Sequence, residues 1–106
     1  MRSIEDAGAL DGMAAKADHV AAFLKGLANA HRLLILCELA RGERSVSQLI
    51  AATGIPQTSM SQHLAKLKEE KIVSFRREHR TLHYFIDSEA AKDIIAVLDH
   101  HFCGKA

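Results

Sequence analysis

The sequence predicts a mainly α-helical domain with one β-hairpin, which is an α+β fold class. Apolar residues recur at helical spacing through most of the 106-residue chain. Between residues 72 and 86 this spacing changes to the alternation of two paired strands around a charged centre. The string TGIP at residues 53–56 separates two short helical segments, which is typical of a helix-turn-helix.

Length and composition are those of one globular domain. A chain of 106 residues leaves room for a single core, and its 48% hydrophobic and 25% charged residues are ordinary for a globular protein. Residues 1–12 have no apolar period, so we expect a flexible N-terminal tail there and one domain over residues 13–106. The N-terminus lacks the apolar segment of a signal peptide, and no stretch has transmembrane length. We therefore expect a cytoplasmic protein with no membrane partner.

Helix and strand signals give the order α-α-α-α-β-β-α. Helices are expected at about residues 14–28 and 30–41. A third helix lies between the capping-box spacing of residues 45–48 and Gly54, and the fourth begins at Pro56, whose fixed φ suits a first helical turn. Two strands follow within IVSFRREHRTLHYFI, and the last helix within SEAAKDIIAVLDHHF. This order is that of a winged helix-turn-helix.

Charge along the chain points to a local anion-binding face. The formal net charge is only +1, but residues 57–85 carry a surplus of basic residues, whereas residues 1–24 carry a surplus of acidic ones. The basic surface therefore coincides with the fourth helix and the hairpin.

The fourth helix has a polar face suited to DNA bases. At about 100° per residue, Met60, Leu64 and Leu67 face the core, and hydroxyl and amide side chains lie opposite. Gln62 can pair with adenine through two hydrogen bonds. His63 lies about 60° from the apolar stripe, so it is either a packing residue or a phosphate contact. A solvated helix face has a similar composition, so the helix alone does not decide between the two.

A basic turn in the hairpin favours DNA. RREHR at residues 76–80 gathers three arginines where they can reach phosphates or the minor groove beside the fourth helix. Hydroxyl and amide groups of the helix would contact bases, and lysine and arginine would hold the backbone. The expected DNA-contacting residues are Gln57, Thr58, Ser59, Ser61, Gln62, His63, Lys66, Arg77 and Arg80.

Three strings resemble the ArsR/SmtB family of bacterial winged-helix repressors: ANAHRLLILCEL, SVSQLIAATGIPQTSMSQHLAKLKEEKIV and RREHRTLHYFI. The likeness covers about residues 17–103, and SQHLAKLKEEKIV is its most specific part. The resemblance implies a homodimer built from the first and last helices, an inverted-repeat operator in double-stranded DNA, and release by an inducer.

Many members of this family sense metals, but the residues needed for that are largely missing here. The helix before the helix-turn-helix contains one cysteine rather than a pair. Alignment of the last helix with the family's metal-binding pattern puts Ser88, Ala90, His101 and Gly104 at the ligand positions, and of these only His101 can bind a metal. We therefore expect no metal site and no cofactor, with a soft ion held by the two cysteines as the alternative.

Cys37 and Cys103 stand 66 residues apart, on the second helix and at the end of the last. From the residues alone, both are ordinary packing or terminal thiols. The pair resembles that of the sulfide- and persulfide-responsive BigR and SqrR type, in which a disulfide or polysulfide bridge releases the operator. This resemblance implies a redox sensor induced by reactive sulfur species. Regulators of the HlyU type, which relieve silencing instead, share the pair and remain an alternative.

An enzyme is the rival class. A thiol oxidoreductase usually carries a local Cys-x-x-Cys motif, and this chain has neither that motif nor a recognisable catalytic triad or phosphate loop. We therefore expect a DNA-binding regulator and no catalytic residues.

Overall fold

The computed structural model describes the backbone of residues 4–103 and the side chains of residues 12–102. Within these limits, five α-helices and three short strands are followed by a π-helical segment that continues the last α-helix. In chain order they are α1 Ile4–Leu27, α2 Ala30–Leu39, β1 Arg44–Ser45, α3 Val46–Thr53, α4 Gln57–Glu69, β2 Val73–Glu78, β3 Thr81–Ile86, α5 Glu89–Leu98 and the terminal π-helix Asp99–Cys103. The predicted winged helix-turn-helix is confirmed.

The first helix begins earlier than the sequence indicated. Its backbone is helical from Ile4, ten residues before the expected start at residue 14. Glycines at positions 8 and 12 suggested a tail, yet a helix tolerates isolated glycines at about 1 kcal/mol each. The expected start of the first helix at residue 14 is therefore wrong, and the flexible tail over residues 1–12 stays a prediction.

The helix-turn-helix is fixed by local hydrogen bonds that the sequence predicted. The Ser45 hydroxyl accepts a hydrogen bond from the Gln48 backbone N–H at 3.2 Å, and the Gln48 side chain accepts one from the Ser45 N–H at 2.9 Å. At the other end of α3, Gly54 adopts φ 77° and its N–H donates to the Ile50 carbonyl. Ile55 follows, 2% exposed, and anchors the turn in the core before α4 begins.

The hairpin packs as the wing of the fold and gains a third strand. Strands β2 and β3 pair antiparallel from Val73 opposite Ile86 to Glu78 opposite Thr81. The two-residue strand β1 pairs with the other edge of β3, so the sheet order is β1-β3-β2. The sequence did not indicate β1, because two residues are too few to show an alternating pattern. Its pairing holds the start of α3 beside the wing.

One core joins the helices to the sheet. The apolar stripe of α4 packs with α2, α3 and the inner side of the hairpin, and α5 covers this core through Ala91 and Ile95. Among the described residues, no single helix is long and apolar enough to cross a membrane, although the stretches 12–27 and 30–39, bent by 84°, meet that test as a pair. The fully buried large side chains are Ile35, Leu36, Leu49, Met60, Leu64, Leu67, Ile72, Val73 and Ile95.

Two glycine substitutions should have opposite effects on stability. Gly54→Ala forces a side chain into the left-handed region, so we expect the free energy of unfolding to fall by about 1–2 kcal/mol. Gly12→Ala adds a methyl group inside α1 with no heavy atom within 4 Å of its Cβ, and we expect a gain of about 0.5–1 kcal/mol. Urea unfolding at fixed protein concentration measures both. A loss on Gly12→Ala would contradict the helical start of α1.

Candidate nucleic-acid interface

The exposed side of α4 carries most of the residues expected to contact DNA. Its buried positions are Met60, Leu64 and Leu67, as the periodicity predicted. The opposite side is polar. Its N-terminal end carries hydroxyl and amide side chains, which are the groups that a recognition helix presents to the major groove. Ser59 is half-buried, and the exposed candidates are Gln57, Thr58, Ser61, Gln62 and Lys66.

His63 lies apart from this exposed face and contacts the protein itself. It is half-buried, and the Nε of Arg32 donates a hydrogen bond to its Nδ1 at 3.4 Å. Its ring meets that of His31 edge-on, with 5.4 Å between the centroids. Burial first, and then the charges of Arg32 and His31, lower the pKa of His63 below its ordinary value of 6.5. Of the two roles that the sequence left open, the geometry favours packing.

Lys66 is exposed and forms ion pairs with acidic residues of its own helix. Its Nζ lies 3.7 Å from Glu69 Oε1 and 3.8 Å from Glu70 Oε2. Exposed pairs of this kind contribute about 0–1 kcal/mol, so a DNA phosphate can compete for the ammonium group. The geometry is therefore compatible with the expected phosphate contact.

The three arginines of the wing differ in their surroundings. Arg76 is bound by Glu43, with 2.7 Å between Nε and Oε1, and it also lies 3.4 Å from Glu78. Arg77 and Arg80 are exposed and form no ion pair with any described residue. Arg77 and Arg80, the two wing arginines expected to contact DNA, are therefore the ones whose charge faces solvent. The Glu43 contact was not evident from the sequence, because it joins residues 33 positions apart.

A groove beside the wing also escaped the sequence analysis. It lies between the start of α3 and the hairpin turn, and Ser47 and Arg80 are among the residues that line it. The pairing of β1 with β3 helps to bring these elements together, and β1 gave no signal in the sequence. Arg80, an expected DNA contact, therefore lies close to the start of α3 as well as at the wing turn.

The comparisons with known proteins agree with this arrangement. The model of the bacterial regulatory proteins of the arsR family matches residues 29–74, which include the helix-turn-helix. The biofilm growth-associated repressor of Agrobacterium fabrum is 40% identical over 94 residues, which cover 89% of this chain and 80% of that protein. The chain belongs to the ArsR family.

Two further relatives of this ArsR-family protein show how widely the likeness extends. The transcriptional activator HlyU of Vibrio cholerae is 39% identical over 76% of this chain and 74% of its own. Its reduced form has been solved and superposes with a TM-score of 0.82 at 35% identity, covering 87% of this chain and 97% of that one. The winged helix-turn-helix domain of Mb0332 from Mycobacterium bovis, described as homodimeric, superposes at 0.71 with 39% identity, covering 84% and 82%.

The ArsR-family protein is therefore a DNA-binding transcriptional regulator. The two relatives named above are a repressor and a transcriptional activator. Within the described residues, no group of three or more His, Cys, Asp or Glu side chains is arranged to hold a metal ion. His101, the one residue that matched a family ligand position, is exposed beside His100 at the C-terminal end of the molecule.

The two cysteine-bearing segments, the end of α2 and the terminal π-helix, contact each other. Cys37 is half-buried in α2 and packs against the core. Cys103 ends the terminal π-helix, and its side chain lies outside the described residues. The two segments meet where the Arg41 guanidinium comes within 3.7 Å of Asp99 Oδ1. That carboxylate oxygen is buried and has no hydrogen-bond partner among the described residues.

Gln62→Ala and Arg80→Ala should weaken DNA binding in different ways. Loss of the Gln62 amide should reduce the preference for one base pair by about 1–3 kcal/mol, because base contacts carry sequence information. Loss of Arg80 should weaken binding to all duplexes and lower the slope of log K against log salt by about 1. Fluorescence anisotropy on a duplex selected from a random library, and on its scrambled version, measures both effects.

Lys92→Ala is the matched control for these variants, because it removes an exposed positive charge from α5. It should leave both affinity and salt slope unchanged. An unchanged base preference in Gln62→Ala would show that α4 does not lie in the major groove as expected.

Proposed function

We propose that this regulator is a homodimeric repressor that leaves its operator when reactive sulfur species join Cys37 and Cys103. The bridge is a disulfide or a polysulfide. With a low-molecular-weight persulfide as oxidant, two thiols and one persulfide give a disulfide, one thiol and hydrogen sulfide. A second persulfide molecule inserts one further sulfur and gives a trisulfide, releasing a second thiol.

The contact between Arg41 and Asp99 is the observation that supports this proposal most. Arg41 follows Cys37 by four residues, and Asp99 precedes Cys103 by four. Arg41 lies just beyond the end of α2, and Asp99 begins the terminal π-helix that Cys103 ends. Each cysteine is therefore only four residues along the chain from the point where the two segments touch. A direct disulfide needs Cα atoms within about 7 Å, and extra sulfur atoms relax that limit.

The surroundings of Cys37 also suit a regulated thiol. Arg41 follows Cys37 by four residues, and its guanidinium pairs with Asp99 at 3.7 Å. Nearby positive charge is a feature of regulated thiols in general. The half-buried position further limits access, so Cys37 is the expected resolving partner and Cys103 the expected first nucleophile. The relative solved in a form described as reduced supports thiol chemistry in this group.

The apolar surface of α1 and α5 supports a dimer built from these helices. Leu24 on α1 is 46% exposed and Val97 on α5 is 56% exposed, which is unusual for side chains of this size. An apolar groove between the two helices is lined by Val20, Phe23 and Ile94. The homodimeric relative has the same fold. A two-fold axis would present two copies of α4 to the half-sites of an inverted repeat in a cytoplasmic chromosome.

The resemblance to HlyU favours a second role at the same site. An activator or antirepressor would bind the same kind of DNA but displace a silencing protein rather than block polymerase. Transcription in a purified system separates the two roles. A repressor lowers transcription from its promoter when it is added alone, whereas an antirepressor acts only when a silencing protein is present.

Exposure to glutathione persulfide should produce an intramolecular bridge. The intact mass under non-reducing conditions should show a monomer that has lost two hydrogens, with or without added sulfur, and operator affinity should fall in the same sample. Cys37→Ser and Cys103→Ser should form no bridge and keep their affinity for DNA. A parallel sample with peroxide tests whether the response is selective for sulfur. Two unmodified thiols after both treatments would contradict the proposal.

Arg41→Gln should slow bridge formation without changing DNA binding by the reduced protein. The substitution removes the contact with Asp99 that holds the two cysteine-bearing segments together. Arg41 is 48% exposed, so the pair contributes about 0–1 kcal/mol and its loss should slow the reaction by at most about fivefold. Stopped reactions analysed by mass spectrometry give the rate. Lys92→Gln is the control. If Arg41→Gln formed the bridge as fast as Lys92→Gln does, the Arg41 contact would have no role in the reaction.

A further inference from the structure

We propose that Arg32 is a positioning residue for operator binding, which holds the DNA-reading helix α4 against α1 and α2. It does so through a polar cluster of Gly26, Arg32, His63 and Glu70, here named the Arg32 junction. The proposal rests on DNA binding by this family and on the expected contact of Gln62 in α4 with a base. It does not depend on the thiol chemistry proposed above, and it is tested on reduced protein.

The guanidinium of Arg32 contacts three parts of the structure at once. One terminal nitrogen donates a hydrogen bond to the Gly26 carbonyl of α1 at 3.1 Å. Its Nε donates to His63 in the middle of α4 at 3.4 Å. The Glu70 carboxylate, at the C-terminal cap of α4, lies 4.0 Å from the same terminal nitrogen. One side chain, only 18% exposed, therefore joins α1 and α2 to two points along α4.

Gly26 allows this close approach. A Cβ at position 26 would lie 2.5 Å from Glu70 Oε1 and 3.3 Å from the Cδ1 of Ile72. Glycine is unfavourable inside a helix, but here it leaves room for the Glu70 carboxylate beside α1. An alanine at this position would push that carboxylate, the far end of a flexible side chain, out of its place next to Arg32.

Glu70 depends on Arg32 for its charge balance. Its Oε1 is buried and accepts no hydrogen bond from any described residue. Arg32 and Lys66 are the positive side chains paired with the carboxylate, and Lys66 lies on the solvent side, 3.8 Å from Oε2. Removing Arg32 leaves Lys66 as the carboxylate's paired cation, which draws the carboxylate toward the solvent side, where Lys66 lies. Loss of Arg32 should therefore displace Glu70 and the end of α4 that it caps.

The junction lies on the side of α4 next to its base-facing residues. His63 directly follows Gln62, so a rotation of α4 that breaks the Arg32 hydrogen bond also turns Gln62 away from its base. Base contacts depend on such orientation, whereas phosphate contacts by long flexible side chains tolerate it. The junction should therefore control sequence preference more than overall attraction to DNA.

His63 takes part as a neutral acceptor. The charged and titratable groups around it are His31 and Arg32 from α2 and, further along α4, Lys66 and Glu70. Because its pKa lies below 6.5, the imidazole is neutral near pH 7 and Nδ1 can accept from Arg32. Protonation removes this acceptor and adds a positive charge beside Arg32. The contribution of neutral His63 to the stability of the fold is therefore present above pH 6.5, and it is lost as the pH falls through the lowered pKa of His63.

Arg32→Lys and Gly26→Ala test the junction directly. Lysine keeps the charge but lacks Nε, and alanine displaces Glu70. Each variant is measured, under reducing conditions, at a temperature where circular dichroism shows it fully folded. We expect affinity for the selected duplex to fall about tenfold, with affinity for the scrambled duplex and the salt slope unchanged. Equal losses on both duplexes would overturn the proposal, as would a lower salt slope, which would make Arg32 a phosphate contact.

The pH dependence of operator affinity in the wild type and in His63→Asn gives a second test. A purely structural role of His63 would not produce a difference between the two pH profiles. Asparagine retains an acceptor and cannot be protonated. We expect the operator affinity of the wild type to fall from about pH 7.5 to about pH 5.5, and that of His63→Asn to change less. His101→Asn is the control, because His101 is exposed on the terminal π-helix, outside the elements expected to contact DNA. If operator affinity instead rises on acidification in the wild type but not in His63→Asn, the proposal is overturned and His63 is a phosphate contact.

Discussion

The burial of one apolar stripe on α4 is the constraint on which the rest of this structure depends. Met60, Leu64 and Leu67 are almost completely removed from solvent, and each such side chain contributes about 1.5–3 kcal/mol through burial. With that side fixed inward, the hydroxyl and amide groups of α4 can only face outward. Gly54 and Ile55 set where the helix starts, so both the direction of α4 and its rotation are determined by packing rather than by contacts with DNA.

The structure also separates residues that bind within the protein from those that face solvent. Arg76 and His63 looked like DNA contacts by position, but the first pairs with Glu43 and the second accepts from Arg32. Arg77, Arg80 and Gln62 remain exposed. Each of the two engaged residues joins a DNA-facing element to another part of the fold: Arg76 ties the wing to the segment after α2, and His63 ties α4 to α2 itself.

The sequence predicted those features that depend on neighbours along the chain. The capping box of Ser45, the turn at Gly54 and the periodicity of α4 involve residues within a few positions of each other, and all were confirmed. Strand β1 and the contacts of Glu43 and Arg32 join residues far apart, so no local pattern could reveal them. The start of α1 was misplaced for the opposite reason, because local glycines outweighed the continuity of the helix. The resemblance to a family, rather than any spacing, suggested a role for the cysteines.

Helix α2 links the proposed sensor to both DNA-facing elements. Arg32 at its beginning holds α4, and Glu38 near its end binds Arg44 of β1 at 3.0 Å, next to the wing. Cys37 lies between these contacts, and Arg41 meets Asp99 just beyond the helix. Packed helices respond to force by small rigid shifts rather than by continuous deformation. If the proposed bridge forms, it would act on α2 as a unit, and the displacement of α2 would reach α4 through one end and the wing through the other. The coupling would then lie in the charged contacts at the two ends of α2, where a small shift is enough to break a hydrogen bond of 3.4 Å.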